Sequence, residues 1–288
     1  MALHGTMEIT TVVGCPVNCR FCPQKELVRR YFATSEKREL DFASFTRLVE
    51  KLPLDVSIHF SGMSEPWSNP ECTEMLLYAA RRGHLISVYS TLLGLTEAGF
   101  ERIRGVPFDY FVIHVPDAEG NSPIPLSSAY LALLERVFDT PLRVQSERQI
   151  SCHGTLRGEV SALLRGRFSV LDEVIDRAGN IVEGVSVPCR VAGRIACSRA
   201  GRSVNRNVLL PDGRVLLCCM DYGMRHVLGS LWESSYQRLL RGAEARRVRA
   251  AMDDESLPLL CRHCTVATPF APVQAPVLQR LVQLFGRS

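Results

Sequence analysis

At 288 residues with a formal net charge of +4, the chain can form one large domain or a large and a small one, and it is too weakly charged to act as a general polyanion binder. No apolar run reaches the roughly 18 residues of a membrane span, and the start MALHGTMEIT lacks the basic and apolar regions of a secretion signal, so the expected setting is the cytoplasm, with no membrane and no nucleic-acid partner. Eleven cysteines in that setting argue for metal ligation or thiol chemistry rather than disulfides.

Runs rich in β-branched and aromatic residues predict strands at Met7–Val13, Val56–Phe60, Leu85–Tyr89, Tyr110–Val115, Leu142–Gln145 and Phe168–Leu171. Between them, helical patterns occupy Asp41–Leu52, Glu71–Arg82, Thr96–Arg104, Ser127–Val137 and Arg157–Arg165. This alternation predicts an α/β fold, a partial (β/α)6 TIM-like barrel over residues 1–185, with the loops at the strands' C-terminal ends forming one working face. From about residue 186 the pattern changes. A turn at Pro211-Asp212-Gly213 between apolar runs predicts a hairpin over Val208–Leu217, followed by a helix, so a smaller domain is expected over 186–288. Arg238, Arg241, Arg246, Arg247 and Arg249 read as the solvated face of that helix.

The first predicted strand runs into Cys15, Cys19 and Cys22, three thiols within eight residues on the working face. One loop of this kind can wrap an iron-sulfur cube. A 4Fe-4S cube normally takes four cysteines, so three leave one iron open. The bland alternatives are a zinc site short of one ligand or three unrelated buried cysteines. With Phe21 before the last cysteine, the segment resembles the radical S-adenosylmethionine superfamily. The resemblance implies an open iron that chelates S-adenosylmethionine, which is cleaved to a 5'-deoxyadenosyl radical. Phe60-Ser61-Gly62-Met63-Ser64-Glu65-Pro66 is similar to the superfamily's glycine-glycine-glutamate-proline segment, departing from it at Met63 and Ser64. Gly62 would let the backbone come close to the methionyl group, and Glu65 would accept hydrogen bonds from its ammonium. His114 and Ser146, at the ends of the fourth and fifth predicted strands, are the expected ribose and carboxylate contacts.

Near the C-terminus, Cys197, Cys218, Cys261 and Cys264 converge if the predicted hairpin folds back, with Cys189 as a possible replacement for Cys197. Alone they read equally as a four-cysteine zinc site. After the triad, they resemble the twitch domain, the shortened relative of the SPASM extension, and this implies a second 4Fe-4S cluster closed by four protein ligands. Of the remaining cysteines, Cys72 and Cys152 read as inert. Cys219, next to Cys218, is either a core residue or a thiol facing the substrate, and Asp221 either binds a polar substrate or orients the hairpin.

Enzymes of this type include the 2-deoxy-scyllo-inosamine dehydrogenase and sugar epimerases such as neomycin C epimerase. The resemblance therefore implies hydrogen abstraction from a small sugar-like or aminoglycoside-like molecule, with electrons from an external donor such as flavodoxin or ferredoxin. Cys219 favours epimerisation with a thiol donor over carbinol oxidation. Peptide maturation is the weaker expectation, since the first strand begins within about ten residues of Met1. A non-catalytic iron-sulfur or zinc protein is the alternative of another class.

Overall fold

The computed structural model describes residues 5–172, 177–179 and 190–270, so the expected domain boundary at 185/186 and Cys189 lie outside the described residues. Six parallel strands follow in chain order: β1 Gly5–Ile9, β2 Val56–Phe60, β3 Ile86–Ser90, β4 Phe108–His114, β5 Val144–Ser151 and β6 Val170–Leu171. The connections carry α1 Gln24–Phe32 and α2 Phe42–Val49, then α3 Cys72–Arg81, α4 Glu97–Ile103, α5 Ser128–Asp139 and α6 Gly158–Leu164. The expected α/β architecture is present.

Three of these helices, α2, α4 and α5, start where short polar side chains cap them. Asp41, Thr96 and Ser127 accept from the free amides of Ser44, Gly99 and Tyr130 at 2.7, 3.0 and 3.1 Å. α3 buries Cys72, Met75, Leu76 and Ala79, one face of a 3.6-residue period, so Cys72 is a core side chain. Helix α1 was absent from the sequence expectation because only Gln24, Leu27 and Tyr31 of its nine residues are buried, and charged residues interrupt the apolar face.

Alternation divides the parallel sheet into two faces. Met7, Ile9, Ile58, Phe60, Ile86, Val88, Phe111 and Ile113 are fully buried in one core with Phe45, Leu48, Leu76, Phe100 and Leu134 of the helices. The opposite, inner face is polar: Glu8 pairs in register with His59, and His59 with Ser87. The His59, Tyr89 and Tyr110 rings stack across three strands at centroid separations of 5.7 and 6.5 Å.

The remaining strands are β7 Ile195–Cys197, β8 Arg206–Leu209, β9 Arg214–Leu216, β10 Val227–Ser230 and β11 Ala267–Pro269, with α7 Tyr236–Leu240 and α8 Ala243–Asp253. The β8–β9 hairpin does not stand apart. β8 pairs in parallel with β1, giving one nine-stranded sheet in the order β10-β9-β8-β1-β2-β3-β4-β5-β6. β7 and β11 form a separate two-stranded ribbon. Among the described residues no helix is long and apolar enough to cross a membrane.

Candidate functional site

The loop after β1 carries the triad. Gly14 turns it at φ +95°, Asn18 takes φ 50°, and Cys22 N donates to Cys19 O at 3.0 Å. None of the three thiols is in a disulfide, and each is half-buried. They share one environment: burial, then the neighbouring Cys22 and Cys15, push the Cys19 thiol up to about 12. Such thiols are poor anions alone and become good ligands when a metal offsets the charge. Among the described residues no group of three or more His, Cys, Asp or Glu is spaced to hold a single metal ion. Thiolates on a cube bind different irons and need not meet in one coordination shell.

Gln24, which the sequence reading passed over, organises this loop. Its Oε1 accepts from Cys15 N at 3.3 Å, while Nε2 reaches Cys22 Sγ at 3.6 Å and also donates to Met63 O. It thereby ties the triad to the segment after β2. Gly62, at φ +65°, is required there because a Cβ would stand 2.6 Å from Thr10 Oγ1 and 2.9 Å from Thr10 N. Its need arises from β1's end rather than from a ligand. Met63 N donates to Thr10 Oγ1 at 3.1 Å.

Glu65 corrects the expectation that it takes an ammonium. Its Oε1 accepts from Ser90 Oγ (2.6 Å) and Trp67 N (3.2 Å), and its Oε2 from Thr91 N and Oγ1 (both 2.7 Å). Only 3% exposed, it pins the ends of β2 and β3. Ser64 differs: its buried Oγ has no hydrogen-bond partner among the described residues. A buried hydroxyl of that kind beside the three-cysteine loop suits a polar ligand such as the methionyl end of S-adenosylmethionine.

His114 stands at the end of β4 on the inner face, where burial, with the His153 and Arg177 charges, depresses it to about 3, leaving a neutral ring. His153 stacks on it at 5.9 Å and meets Phe21 edge-on at 4.3 Å, so Phe21 closes this wall rather than standing free. Ser146 is a correction. β5 extends to Ser151, six residues past the expected end, so the working end is Ser151–His153. Ser146 is exposed near the other end, bonded to Asp109, five residues or about 16 Å of strand away from Ser151. Cys152 is buried with its thiol on Gly154 O at 3.3 Å.

The four C-terminal cysteines converge. Cys197 ends β7 and pairs with Ala267, Cys218 follows β9, and Cys264 N donates to Cys261 O at 3.1 Å. Burial and the neighbouring Cys264 and Cys197 push the Cys261 thiol up to about 12, and Cys218 feels Cys261 in turn. Asp221 beside them is fully buried, its two oxygens each accepting at 2.8 Å from Arg225 N and His226 N. It orients the hairpin. Cys219 turns the other way: burial raises its thiol, and the next influences are Glu8 and Arg177. It packs against the buried cluster that contains Met63 and Tyr222 and against the one that contains Met220 and Cys264.

Three solved structures share this architecture. BtrN in complex with AdoMet and 2-DOIA is 17% identical, TM-score 0.58, over 91% of this chain and 93% of that one. Selenomethionine BtrN in an open conformation gives 15% and 0.52 over 91% and 92%, and hexahistidine-tagged anSMEcpe with bound AdoMet gives 14% and 0.53 over 90% and 83%. Residues 197–265 match the family model of the SPASM iron-sulfur cluster-binding domain. The chain has the fold of these proteins and carries a SPASM iron-sulfur cluster-binding domain over residues 197–265. A search of curated proteins gives no match. The SPASM span contains Cys197, Cys218, Cys219, Cys261 and Cys264, so the four converging thiols lie inside the matched residues.

Proposed function

We propose that this chain is a radical enzyme that removes a hydrogen atom from a carbon of a small polar, sugar-like or aminocyclitol-like molecule and returns one from Cys219. In this reading Cys15, Cys19 and Cys22 hold the reducing 4Fe-4S cluster and Cys197, Cys218, Cys261 and Cys264 the auxiliary one. When bound, the first cluster supplies the electron that cleaves S-adenosylmethionine to a 5'-deoxyadenosyl radical. Ser64 and the neutral His114 would contact the cofactor, with Phe21 and His153 walling it in.

The observation that carries the reading is the position of Cys219. It is adjacent to a SPASM cysteine yet faces Glu8 on the inner sheet face, where Ser61 Oγ also donates to Glu8 Oε2 at 2.9 Å. Glu8, Ser61, His59, Tyr89 and Tyr110 make that face polar, which favours a hydroxyl- or amine-bearing substrate over an apolar one. A Cys219 S–H that gives its hydrogen atom to a substrate carbon radical becomes a thiyl radical. Restoring the thiol takes one proton and one electron, the electron from a donor of the flavodoxin or ferredoxin class. A second reading, carbinol oxidation, also draws on Glu8: its carboxylate would accept the proton lost by the substrate radical, and the remaining electron would go to the auxiliary cluster that Cys197, Cys218, Cys261 and Cys264 would hold. The likeness to BtrN, solved with 2-DOIA, favours it.

Anaerobic turnover of amino sugars and aminocyclitols in deuterated water separates the two. The expected outcome is solvent deuterium at one product carbon, lost in Cys219→Ala while 5'-deoxyadenosine still forms. A product two mass units lighter than substrate would overturn epimerisation.

A further inference from the structure

Tyr222 lies in the SPASM loop between β9 and β10, 2% exposed, with its hydroxyl 3.4 Å from Cys22 Sγ across 200 positions of sequence. The loop that aims it is rigid: Asp221 N donates to Cys218 O (3.1 Å), Tyr222 N to Met220 O (3.0 Å) and Met224 N to Asp221 O (3.0 Å), and the Asp221 carboxylate locks the following turn. A buried phenol needs a polar partner, and the triad thiol is within reach. As a metal-bound thiolate Cys22 can only accept, so the phenol O–H and Gln24 Nε2, 3.6 Å away, would both donate to its sulfur.

We propose that Tyr222 is a positioning residue of the radical cluster, donating a hydrogen bond from the SPASM domain to the Cys22 sulfur and, with Gln24, raising that cluster's reduction potential. Hydrogen bonds to ligand sulfur stabilise the more negative reduced state, so the potential rises with each donor. Because one donor comes from the C-terminal domain, seating of the SPASM loop and the driving force for the first electron are linked through a single side chain. The inference rests on the reading that Cys22 is a cluster ligand.

The test is a potentiometric titration of reconstituted protein, following the paramagnetic signal of the reduced cluster that S-adenosylmethionine perturbs. Tyr222→Phe is expected to keep wild-type iron content and shift the midpoint to a more negative potential. Gln24→Leu shifts it the same way, while Tyr236→Phe, which removes a phenol bonded to Asn207 instead, leaves it in place. An unchanged midpoint in Tyr222→Phe would overturn the proposal, whatever Gln24→Leu does. A Cys22→Ala protein that retains the perturbed signal would instead remove the ligand assignment beneath it.

Discussion

Asn207 ties the two strands of the C-terminal hairpin to each other and to α7 with one side chain. Fully buried on β8, it shares its Nδ2 hydrogens among Val204 O (3.2 Å), Leu216 O (3.2 Å) and Leu217 O (2.9 Å), and its Oδ1 accepts from Tyr236 Oη at 2.7 Å. Leu217 immediately precedes Cys218, so this amide also fixes where the SPASM loop departs. Asn207→Leu keeps the volume and strands several polar atoms, each costing about 1–3 kcal/mol when buried and unmade. The expected loss is about 3 kcal/mol or more, seen as a thermal midpoint lower by roughly 5 °C or more. A midpoint within about 1 °C of wild type would show that water replaces the amide. The same scale explains what the sequence hid. Three cysteines at short spacing announce themselves, whereas Gln24, His153 and Asn207 act through contacts with residues 39, 39 and 29 positions away. No local pattern marks such residues.

Elements were legible where burial is one-sided and obscure where it is not. β2 and α3 are apolar on a regular period, and their expected spans agree with the observed ones to within a residue or so. β5 reads Val-Gln-Ser-Glu-Arg-Gln-Ile-Ser, mostly polar because Gln145, Ser146 and Glu147 are exposed, so no apolar pattern marks its extent and Ser146 falls near its start rather than its working end. α2 was marked by its cap. Lys37, with help from the Ser44 hydroxyl and amide, holds the Asp41 carboxyl below the ordinary range. A carboxyl whose folded value is depressed contributes stability fully above its unfolded value of about 3.9 and loses it as pH falls toward the folded one. Asp41→Ala should therefore lower stability by about 1 kcal/mol at neutral pH. The gap to wild type should shrink as the medium is acidified below about pH 4, measured by urea denaturation across pH. A gap that stays constant from pH 7 to pH 2 would place its origin in packing rather than in the carboxylate.

At the scale of the whole molecule, the chemistry proposed for each half depends on the other. The sequence changes character near residue 186, and that shift suggested two units in series. In space β8 lies against β1, pairing Arg206–Leu209 with Thr6–Ile9, so the strand that launches the triad is an interior strand only because the C-terminal part supplies its neighbour. The hairpin was expected, but a pairing across about 200 residues leaves no periodic trace in either strand. Val215, Leu217, Leu228, Tyr236, Leu239 and Val248 are buried in the same apolar cluster as Met7, Ile58 and Phe45. A fragment ending at residue 185 would lose this packing and bare a row of unpaired amides and carbonyls along β1, an open template for intermolecular pairing. The fragment is expected to aggregate or to melt without a cooperative transition. Intact apo-protein, with both parts present, should melt as one cooperative unit. Light scattering and near-ultraviolet circular dichroism of the two proteins decide the matter: a monomeric fragment with a native-like aromatic signal would mean that β1 tolerates life as an edge, and that the SPASM part is an addition to a finished domain rather than a structural half of it.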